Sequence, residues 1–463
     1  MSRRAADTTT IAAISTPPGA GGIGIIRISG PHALPILQTI FKPLNTACTF
    51  ASHQLYYGWI VRPADGKILD EVLAVAMHAP RTYTRDDIAE IHCHGSFLVL
   101  QAILELILSL GASLAEPGEF TKRAFLNGRI DLTKAEAVID ILSARTRKGV
   151  DLAQEQLAGA LYDRIDVIRR ELIQIRAVIE VAIDFPDDDV EIVNKEKILG
   201  QLQETVERPL QDLQLRADQG RIFREGISVV IVGLPNVGKS SLLNTLLQEE
   251  RALVTPIPGT TRDTIEEYID LEGIPVRIID TAGIRKYADE VEALGIERAR
   301  VQINQADLIL FMIDGSQKMG DAEIDLFESI RHKPMLVIVN KVDLPSTVSA
   351  KEYQLFQDRT LVRISARLQT GIAELKATLF STVTTGKEQW QEDACSPNIR
   401  HKDALTRALG SCKRVREGLV SGLTADLLAV DLQECLDQLR EIVGETTTEE
   451  ILDAIFQKFC IGK

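Results

Sequence analysis

The chain has 463 residues and a formal net charge of −14 at pH 7, and its length suggests about three domains. The acidic balance argues against a broad basic surface for nucleic-acid phosphates, so any such contact must use a local patch or be shared with a partner. Six cysteines without a CxxC pair are typical of free thiols in a reducing compartment. We expect no signal peptide and no membrane-spanning segment, which predicts a cytoplasmic protein without membrane contact.

Residues 1–125 predict an α+β domain, because short apolar runs alternate with amphipathic stretches. Strands are predicted over 8–14 and 23–28, on either side of a loop rich in proline and glycine. A buried amphipathic helix is predicted over 97–110, and another helix is expected after His32.

Two motif matches in this segment are interpreted as structural. Residues 19–24 have the spacing GxGxxG, but a strand follows them, so no helix N-terminus is available for a dinucleotide pyrophosphate. His92 and His94 lie at alternate positions of a predicted strand and share one face. Two histidines alone make a poor metal site, so we expect no metal there.

Residues 126–220 predict the first part of an all-α helical domain. Apolar residues recur at spacings of three and four over 152–183, which predicts one long amphipathic helix. Pro186 follows, and the residue before a proline avoids helical geometry, so the helix is expected to end there. A second helix is predicted over 195–219, ending at Gly220.

The segment 221–384 contains a phosphate-binding motif. The apolar run 227–232 predicts a strand, residues 233–240 read GLPNVGKS, and leucines of an amphipathic helix follow, which is the context required for GxxxxGKS. Glycines let backbone N–H groups turn toward an anion, and the helix N-terminus adds positive charge. In such a loop Lys239 contacts the β- and γ-phosphates and Ser240 binds Mg²⁺.

Further motifs follow predicted strands, as in a doubly wound, mostly parallel sheet that binds ligands at its carboxyl edge. Asp280 is expected to hold Mg²⁺ through water, and Thr261 to add a hydroxyl ligand. The Gly283 N–H can bond the γ-phosphate, which makes 281–296 a predicted switch segment. Asp343 can accept two N–H bonds from guanine, which favours GTP and opposes an ATPase. The predicted nucleotide contacts are Asn236, Val237, Gly238, Lys239, Ser240, Ser241, Thr255, Pro256, Ile257, Pro258, Gly259, Thr260, Thr261, Asp280, Thr281, Ala282, Gly283, Asn340, Lys341, Asp343, Ser365, Ala366 and Arg367.

The residue after Gly283 differs from the Ras-like pattern. It is Ile284, whose side chain cannot orient water as a glutamine does. Another group must therefore orient the attacking water, and another cation must act as an arginine finger does. Arg262 and Arg285 are candidates for this cation, and a monovalent cation bound by the Asn236 amide is an alternative.

Residues 385–463 predict the second part of the helical domain. Helices are expected from Lys402 and from Thr424, and Thr446 is expected to begin the last helix in a capping box. These helices and those of the earlier segment are amphipathic and need a partner surface. We therefore expect one helical domain with the segment 221–384 inserted into it.

Several motifs resemble one family, the bacterial and organellar tRNA-modification GTPases called MnmE or TrmE, and the resemblance covers essentially the whole chain. It rests on Pro17-Pro18-Gly19 through Arg27-Ile28-Ser29-Gly30, Pro117-Gly118-Glu119-Phe120, Arg123-Ala124-Phe125-Leu126-Asn127-Gly128, Phe185-Pro186-Asp187, the GTPase motifs and Cys460-Ile461-Gly462-Lys463.

The resemblance implies site residues that the motifs alone do not give. The N-terminal domain is expected to bind a tetrahydrofolate one-carbon donor, the 5-formyl or 5,10-methylene form, through Arg27, Glu90, Arg129 and Lys463. Arg129 stands where lysine is common in the family, which keeps the charge and changes the geometry. A potassium site is implied at Asn236, Thr255, Ile257 and Thr260. Glu292 is implied to orient the attacking water, and Cys460 matches a family cysteine implicated in activity.

The resemblance also implies partners. It predicts a homodimer joined through the N-terminal domains and a heterotetramer with the flavoprotein MnmG, which carries FAD and uses NADH. Potassium would drive pairing of the GTPase domains and replace the arginine finger. Together the two proteins would add aminomethyl or carboxymethylaminomethyl groups to carbon 5 of the wobble uridine of certain tRNAs. An alternative is a ribosome-assembly or other RNA-associated GTPase switch, although the sequence shows no basic RNA-binding module.

Overall fold

The computed structural model contains two β-sheets and a helical region, and it describes residues 9–45, 49–184, 194–250, 267–280, 301–347, 353–384 and 395–463. The strands are Ile11–Ile14 (β1), Gly21–Ser29 (β2), Phe41–Pro43 (β3), Gln54–Val61 (β4), Ile68–Met77 (β5), Ile88–Gly95 (β6), Ser113–Leu114 (β7), Ile227–Val232 (β8), Glu267–Leu271 (β9), Ile274–Asp280 (β10), Leu308–Asp314 (β11), Met335–Asn340 (β12) and Thr360–Arg363 (β13). The α-helices are Ala33–Ile40, Phe97–Ser109, Glu119–Leu126, Leu132–Ser143, Arg147–Ala158, Ala160–Asp184, Lys195–Gln201, Arg208–Glu225, Lys239–Glu250, Asp321–Ile330, Ile372–Val383, Ile399–Ser421, Ala425–Val443 and Glu449–Phe456.

The N-terminal sheet has seven strands in the order β3-β4-β5-β6-β2-β1-β7. Neighbouring strands are antiparallel except β1 and β7, which are parallel. Alternate side chains point to opposite faces of a strand, and one face packs its apolar side chains against Ala33–Ile40 and Phe97–Ser109. The predicted α+β fold of this segment is therefore confirmed. Its opposite face is covered at β1, where Ile11 and Ala13 pack against Phe120, and is exposed at Leu55 and Leu73 on β4 and β5.

The second sheet has six strands in the order β13-β12-β11-β8-β10-β9. All of its pairings are parallel except that of β9 with β10. Leu246 and Leu375 cover one face of this sheet, and Phe327 and Ile330 cover the other. The predicted doubly wound, mostly parallel sheet is confirmed, and its carboxyl edge collects the ends of β8, β11 and β12.

Helices from before and after this second sheet share one hydrophobic core. Leu172, Leu210, Leu405 and Leu436 are buried together in it. The expected helical domain around an inserted nucleotide-binding segment is thus present, while the exact domain limits remain predictions. Within the described part of the chain, no helix combines the length and the apolarity needed to cross a membrane.

The single helix predicted over 152–183 is wrong. The structure has two helices, Arg147–Ala158 and Ala160–Asp184, separated by Gly159. Gly159 has a φ of 114°, a left-handed conformation that glycine adopts without steric penalty. Its N–H bonds to the carbonyl of Gln156 and closes the first helix. The break occupies one residue, so the apolar spacing continues across it.

The predicted helix end at Gly220 is also wrong. Gly220 lies inside Arg208–Glu225, where a Cβ would overlap the side chain of Ser396. This glycine therefore permits close packing, and the helix ends at Gly226, which has a φ of 75°. A π-helical turn, Leu202–Glu207, precedes the helix Arg208–Glu225.

The last helix begins at a different cap from the one predicted. Thr448, not Thr446, is its N-cap, and the Thr448 side chain accepts a hydrogen bond from the Ile451 N–H. An N-cap hydroxyl satisfies one of the amides that the first helical turn leaves without a partner. Because residues 446–448 are all threonine, the capping-box spacing did not identify which of them is the N-cap.

A buried ion-pair network joins Leu132–Ser143 to Ile399–Ser421. Glu136 Oε2 lies 2.8 Å from Arg400 Nη2 and 2.7 Å from His401 Nε2. His401 Nδ1 accepts the Asn398 N–H at 3.1 Å, so the proton of a neutral imidazole lies on Nε2. Burial alone would raise the pKa of Glu136, but His401 and Arg400 lower it far below its usual range. Burial lowers the pKa of His401, and the nearby charge of Arg400 lowers it further, although Glu136 acts in the opposite direction.

This network predicts a large stability effect of Glu136→Gln. The substitution leaves the Arg400 guanidinium without its carboxylate, and breaking one side of a buried pair costs about 3–5 kcal/mol. Thermal unfolding followed by circular dichroism should show a lower melting temperature. Glu417→Gln changes an exposed glutamate on Ile399–Ser421, the helix that carries Arg400, and should leave the melting temperature unchanged. Equal melting temperatures for Glu136→Gln and the wild type would contradict a stabilising role.

Candidate functional site

The predicted phosphate-binding loop connects β8 to the helix Lys239–Glu250. Asn236 and Gly238 have φ values of 64° and 105°, so the loop reverses direction through left-handed residues. A Cβ at Gly238 would overlap the side-chain amide of Asn340. The second glycine of the motif is therefore required by packing as well as by backbone conformation.

Lys239 points back over this loop. Its Nζ donates hydrogen bonds to the carbonyls of Gly233 at 2.9 Å and Leu234 at 2.8 Å, and the residue is 7% exposed. Ser240 follows in the first turn of the helix, so its hydroxyl and the helix N-terminus lie at the same edge. This places a cation, a hydroxyl and a helix N-terminus around one position, which is the chemistry that binds phosphate and Mg²⁺.

Asn340, the last residue of β12, ties this loop to the segment after β13. Its Nδ2 donates to the Val237 carbonyl at 2.8 Å, and its Oδ1 accepts the Ala366 N–H at 3.0 Å. Asn340 is 3% exposed, so both ends of its amide find partners in the interior. The predicted phosphate and base contacts therefore come together.

Asp343 is exposed at the same edge of the sheet. Its Oδ1 accepts a hydrogen bond from Ser365 Oγ at 2.6 Å, and Ser365 Oγ accepts the Leu368 N–H at 3.2 Å. Ser365 thereby orients the carboxylate, and Arg367 follows in the same turn. A carboxylate held in this way can accept the two N–H groups on one edge of guanine.

One residue of this edge was missed by the sequence analysis. Asp314 ends β11, and its Oδ2 lies 2.6 Å from Lys341 Nζ. Burial would raise the pKa of Asp314, but hydrogen bonds from Lys341 and Ser316 lower it. The signal that could have found it is its position, because it ends a buried strand as Asp280 and Asn340 do.

Some predicted contacts lie outside the described residues, in 251–266 and 281–300. Asp280 ends β10, where its backbone pairs with Ile231 of β8 next to the phosphate-binding loop. The predicted residues outside the described ranges are Thr255, Pro256, Ile257, Pro258, Gly259, Thr260, Thr261, Thr281, Ala282, Gly283 and Glu292, together with Arg262, Ile284 and Arg285.

Two of the residues expected at a folate site form an ion pair on the opposite face of the N-terminal sheet, where their side chains are 21% and 15% exposed. Arg27 and Glu90 lie opposite each other on β2 and β6, with Arg27 Nε 2.7 Å from Glu90 Oε1. The Arg27 guanidinium lies over the rings of Tyr83 and Phe120, 5.7 Å from each centroid. Burial would raise the pKa of Glu90, but the hydrogen bond from His92 and the charge of Arg27 lower it.

The other two expected residues lie around the same rings. The Arg129 guanidinium is 4.6 Å from the centroid of the Tyr83 ring, and its Nη1 donates to the Tyr83 carbonyl at 3.1 Å. The Lys463 carbonyl accepts the Phe120 N–H at 3.1 Å. The structure therefore brings the four residues together around Tyr83 and Phe120, two aromatic rings that the sequence analysis did not assign to the site.

Cys460 lies beside this group. The residue is exposed, and its carbonyl accepts the N–H groups of Gly118 and Lys463, each at 3.4 Å.

Of the two histidines on β6, His92 bonds Glu90 at 3.4 Å and His94 bonds Asp70 at 2.7 Å. Each of these histidines thus has a neighbouring carboxylate as its partner.

Family models and full-length relatives identify the same protein family over nearly the whole chain. A family model described as the GTP-binding protein TrmE N-terminus matches residues 10–129, and one described as the MnmE helical domain matches residues 132–460. A protein of Desulfotalea psychrophila named tRNA modification GTPase MnmE is 59% identical over 99% of both chains. Proteins with the same name from Carboxydothermus hydrogenoformans and Alkaliphilus oremlandii are 47% and 46% identical, each over 98% of this chain and 99% of its own. The chain therefore belongs to the MnmE family of tRNA modification GTPases.

Proposed function

We propose that this protein is the GTP-hydrolysing subunit of a tRNA-modifying complex. With the flavoprotein MnmG, carrying FAD and using NADH, it would add an aminomethyl or carboxymethylaminomethyl group to carbon 5 of the wobble uridine of certain tRNAs. The observation that carries the GTPase part is the sheet edge where Asn340 joins the phosphate-binding loop to the Asp343 segment. Family membership supports the tRNA part.

The nucleotide site supplies charge and orientation for phosphoryl transfer. Lys239 is proposed to neutralise the β- and γ-phosphates, and Asp343 to select guanine. Ser240 and Thr261 would hold Mg²⁺, which would supply positive charge next to the phosphate groups. These residue types fit the ion, since hydroxyl and phosphate oxygens are hard ligands. Glu292 is proposed to orient the attacking water, because Ile284 cannot.

A potassium ion is proposed to take the place of an arginine finger. Asn236 supports this, because its left-handed backbone and exposed side chain place an amide at the rim of the phosphate-binding loop. An amide oxygen is a suitable ligand for a hard monovalent cation. Thr255, Ile257 and Thr260 would complete the site, and the charge would favour pairing of two GTPase domains.

The N-terminal site is proposed to bind a tetrahydrofolate derivative. The half-buried Tyr83 ring provides aromatic surface for a planar heterocycle, and aromatic pairs gain energy beyond their buried area. The Phe120 ring is fully buried and supports Tyr83 and Arg27 from behind. Glu90 can accept N–H groups of such a ring. Arg129 and the Lys463 side chain provide positive charge for the carboxylates of the donor. This combination of rings, carboxylate and cations matches the chemistry of a folate.

The exposed part of the same sheet face, on β4 and β5, supports a homodimer. Leu55, Tyr57 and Leu73 on β4 and β5 are 56%, 40% and 39% exposed, and Tyr57 pairs with Leu73 across the strands. Leu73 in turn lies opposite His92, next to Glu90. An apolar patch continuous with a polar site is typical of an interface. We propose that two copies meet here and that each dimer binds two MnmG subunits.

The first prediction concerns the modification itself. Cells lacking this protein should lose the modified wobble uridine, and the wild-type chain should restore it. Lys239→Ala should fail to restore it, because the phosphate charge is then not neutralised. Mass spectrometry of tRNA nucleosides measures this, with immunoblotting as the control for equal protein levels. An unchanged nucleoside profile in the deletion strain would refute the proposal and favour a ribosome-assembly GTPase.

The second prediction concerns the cation. GTP hydrolysis should be much faster in KCl than in NaCl at equal ionic strength, approaching the roughly 10³-fold effect of an arginine finger. Asn236→Ala should remove most of this difference, because it removes one potassium ligand. Phosphate release assays measure both. Equal rates in the two salts would exclude the potassium role and return attention to Arg262 and Arg285.

The third prediction concerns the folate site. Arg27→Ala removes the ion pair of Glu90 and a cation from the aromatic wall. Binding of 5-formyltetrahydrofolate, measured by isothermal titration calorimetry, should weaken about 10- to 100-fold, as expected for the loss of a charge-assisted hydrogen bond. Arg62→Ala is the control, since Arg62 pairs with Asp65 on an exposed turn of the same domain. Equal affinity of Arg27→Ala and the wild type would contradict the assignment.

A further inference from the structure

The strand β11 ends in a buried carboxylate that contacts the guanine-recognition sequence without belonging to it. The Asp314 side chain is 7% exposed, and its Oδ2 lies 2.6 Å from Lys341 Nζ. Lys341 stands between Asn340, which connects the two loops, and Asp343, which is placed for the base. The ion pair thus joins two neighbouring strand ends, β11 and β12, at the edge where the nucleotide is proposed to bind.

Asp314 is fixed from its other side. Its Oδ1 accepts hydrogen bonds from the Ser316 N–H at 3.0 Å and from Ser316 Oγ at 2.6 Å. The intervening Gly315 N–H donates to the Asn340 carbonyl at 2.8 Å. The Asp314 carboxylate therefore has little freedom to rotate, and its position determines where the Lys341 ammonium is bound.

Lys341 is constrained at its backbone as well. It has a φ of 65°, a left-handed conformation that is uncommon for a residue other than glycine. Its side chain is 30% exposed, so part of the hydrocarbon stem faces solvent at the sheet edge while the ammonium is bound. A lysine stem in this position offers apolar surface to a flat ring, while the charged end stays with its partner.

We propose that Asp314 is a positioning residue for guanine nucleotides, which acts by holding the Lys341 ammonium so that the lysine stem lies ready beside Asp343. Asp314 itself makes no contact with the base. The inference rests on the proposed nucleotide site and adds to it a residue outside its motifs. Its physical basis is conformational entropy, because a free lysine side chain loses rotamer freedom when a ligand orders it. A lysine already ordered by Asp314 avoids that loss.

The test compares Asp314→Asn, Lys341→Met and the double variant in the full-length protein. Fluorescent GDP is the probe, and circular dichroism confirms that each variant is folded. Asp314→Asn should weaken GDP binding about ten-fold, as expected if an unordered lysine must be ordered on binding. It should raise KM for GTP and leave kcat unchanged, because the phosphate groups are bound by a different loop. A defect in folding would lower both the active fraction and kcat.

The double variant separates a role through Lys341 from an independent one. If Asp314 acts only through Lys341, Asp314→Asn should cause no further loss of GDP affinity in the Lys341→Met background. An equal loss in both backgrounds would overturn the proposal, and so would unchanged affinity in Asp314→Asn. Asp325→Asn, at an exposed aspartate of the following helix, is the matched control and should bind GDP as the wild type does.

Failure of this inference is distinguishable from failure of the proposed nucleotide site. If the wild type bound no GDP, or if Lys239→Ala bound it as well as the wild type, the site itself would be wrong. If the wild type binds GDP, Lys239→Ala does not, and Asp314→Asn equals the wild type, only the positioning role is wrong. Discrimination of GDP from ADP should persist in Asp314→Asn, because Asp343 selects the base.

Discussion

The nucleotide site depends on one buried amide. Asn340 uses its donor on the phosphate-binding loop and its acceptor on the segment after β13, so the two loops cannot move apart without leaving a buried polar group without a partner. Gly238 makes this contact possible, since any side chain there would occupy the place of the amide. Phosphate contacts and base contacts are therefore parts of one rigid edge, although they come from distant parts of the sequence.

A second buried network organises the places where the chain enters and leaves the nucleotide-binding segment. Arg224, just before β8, lies 2.9 Å from Asp140 and also bonds the Ser396 carbonyl on the returning chain. Glu136, one helical turn from Asp140, contacts Arg400 and His401. The helix Leu132–Ser143 also begins directly after the loop that carries Arg129. The helix Leu132–Ser143 thus contacts the chain both where it enters and where it leaves the nucleotide-binding segment, and it lies next to the N-terminal site.

The sequence was most informative where a local pattern determines the structure. The strand, loop and helix around Lys239, the strand ends at Asp280 and Asn340, and the position of Asp343 just after β12 follow from short motifs whose chemistry is local. It was less informative where one residue changes direction, as at Gly159, because helical spacing continues across the break. It could not find Tyr83 and Phe120, since their place beside Arg27 results from strand register and helix packing between distant segments. Residues such as Glu292 remain predictions, because they lie outside the described ranges.

The shared helical core has a consequence for the order of folding during synthesis. Leu172 and Leu210 leave the ribosome before the nucleotide-binding segment, and Leu405 and Leu436 leave after it, yet all four are buried in one core. The apolar side chains of the first helices therefore stay exposed until the last helices have been synthesised. The strands of the inserted sheet, in contrast, pair with one another within their own segment. Domains generally fold as units during synthesis. The nucleotide-binding segment can therefore be the first of the two to become compact, and the helical region is where a chaperone would be needed.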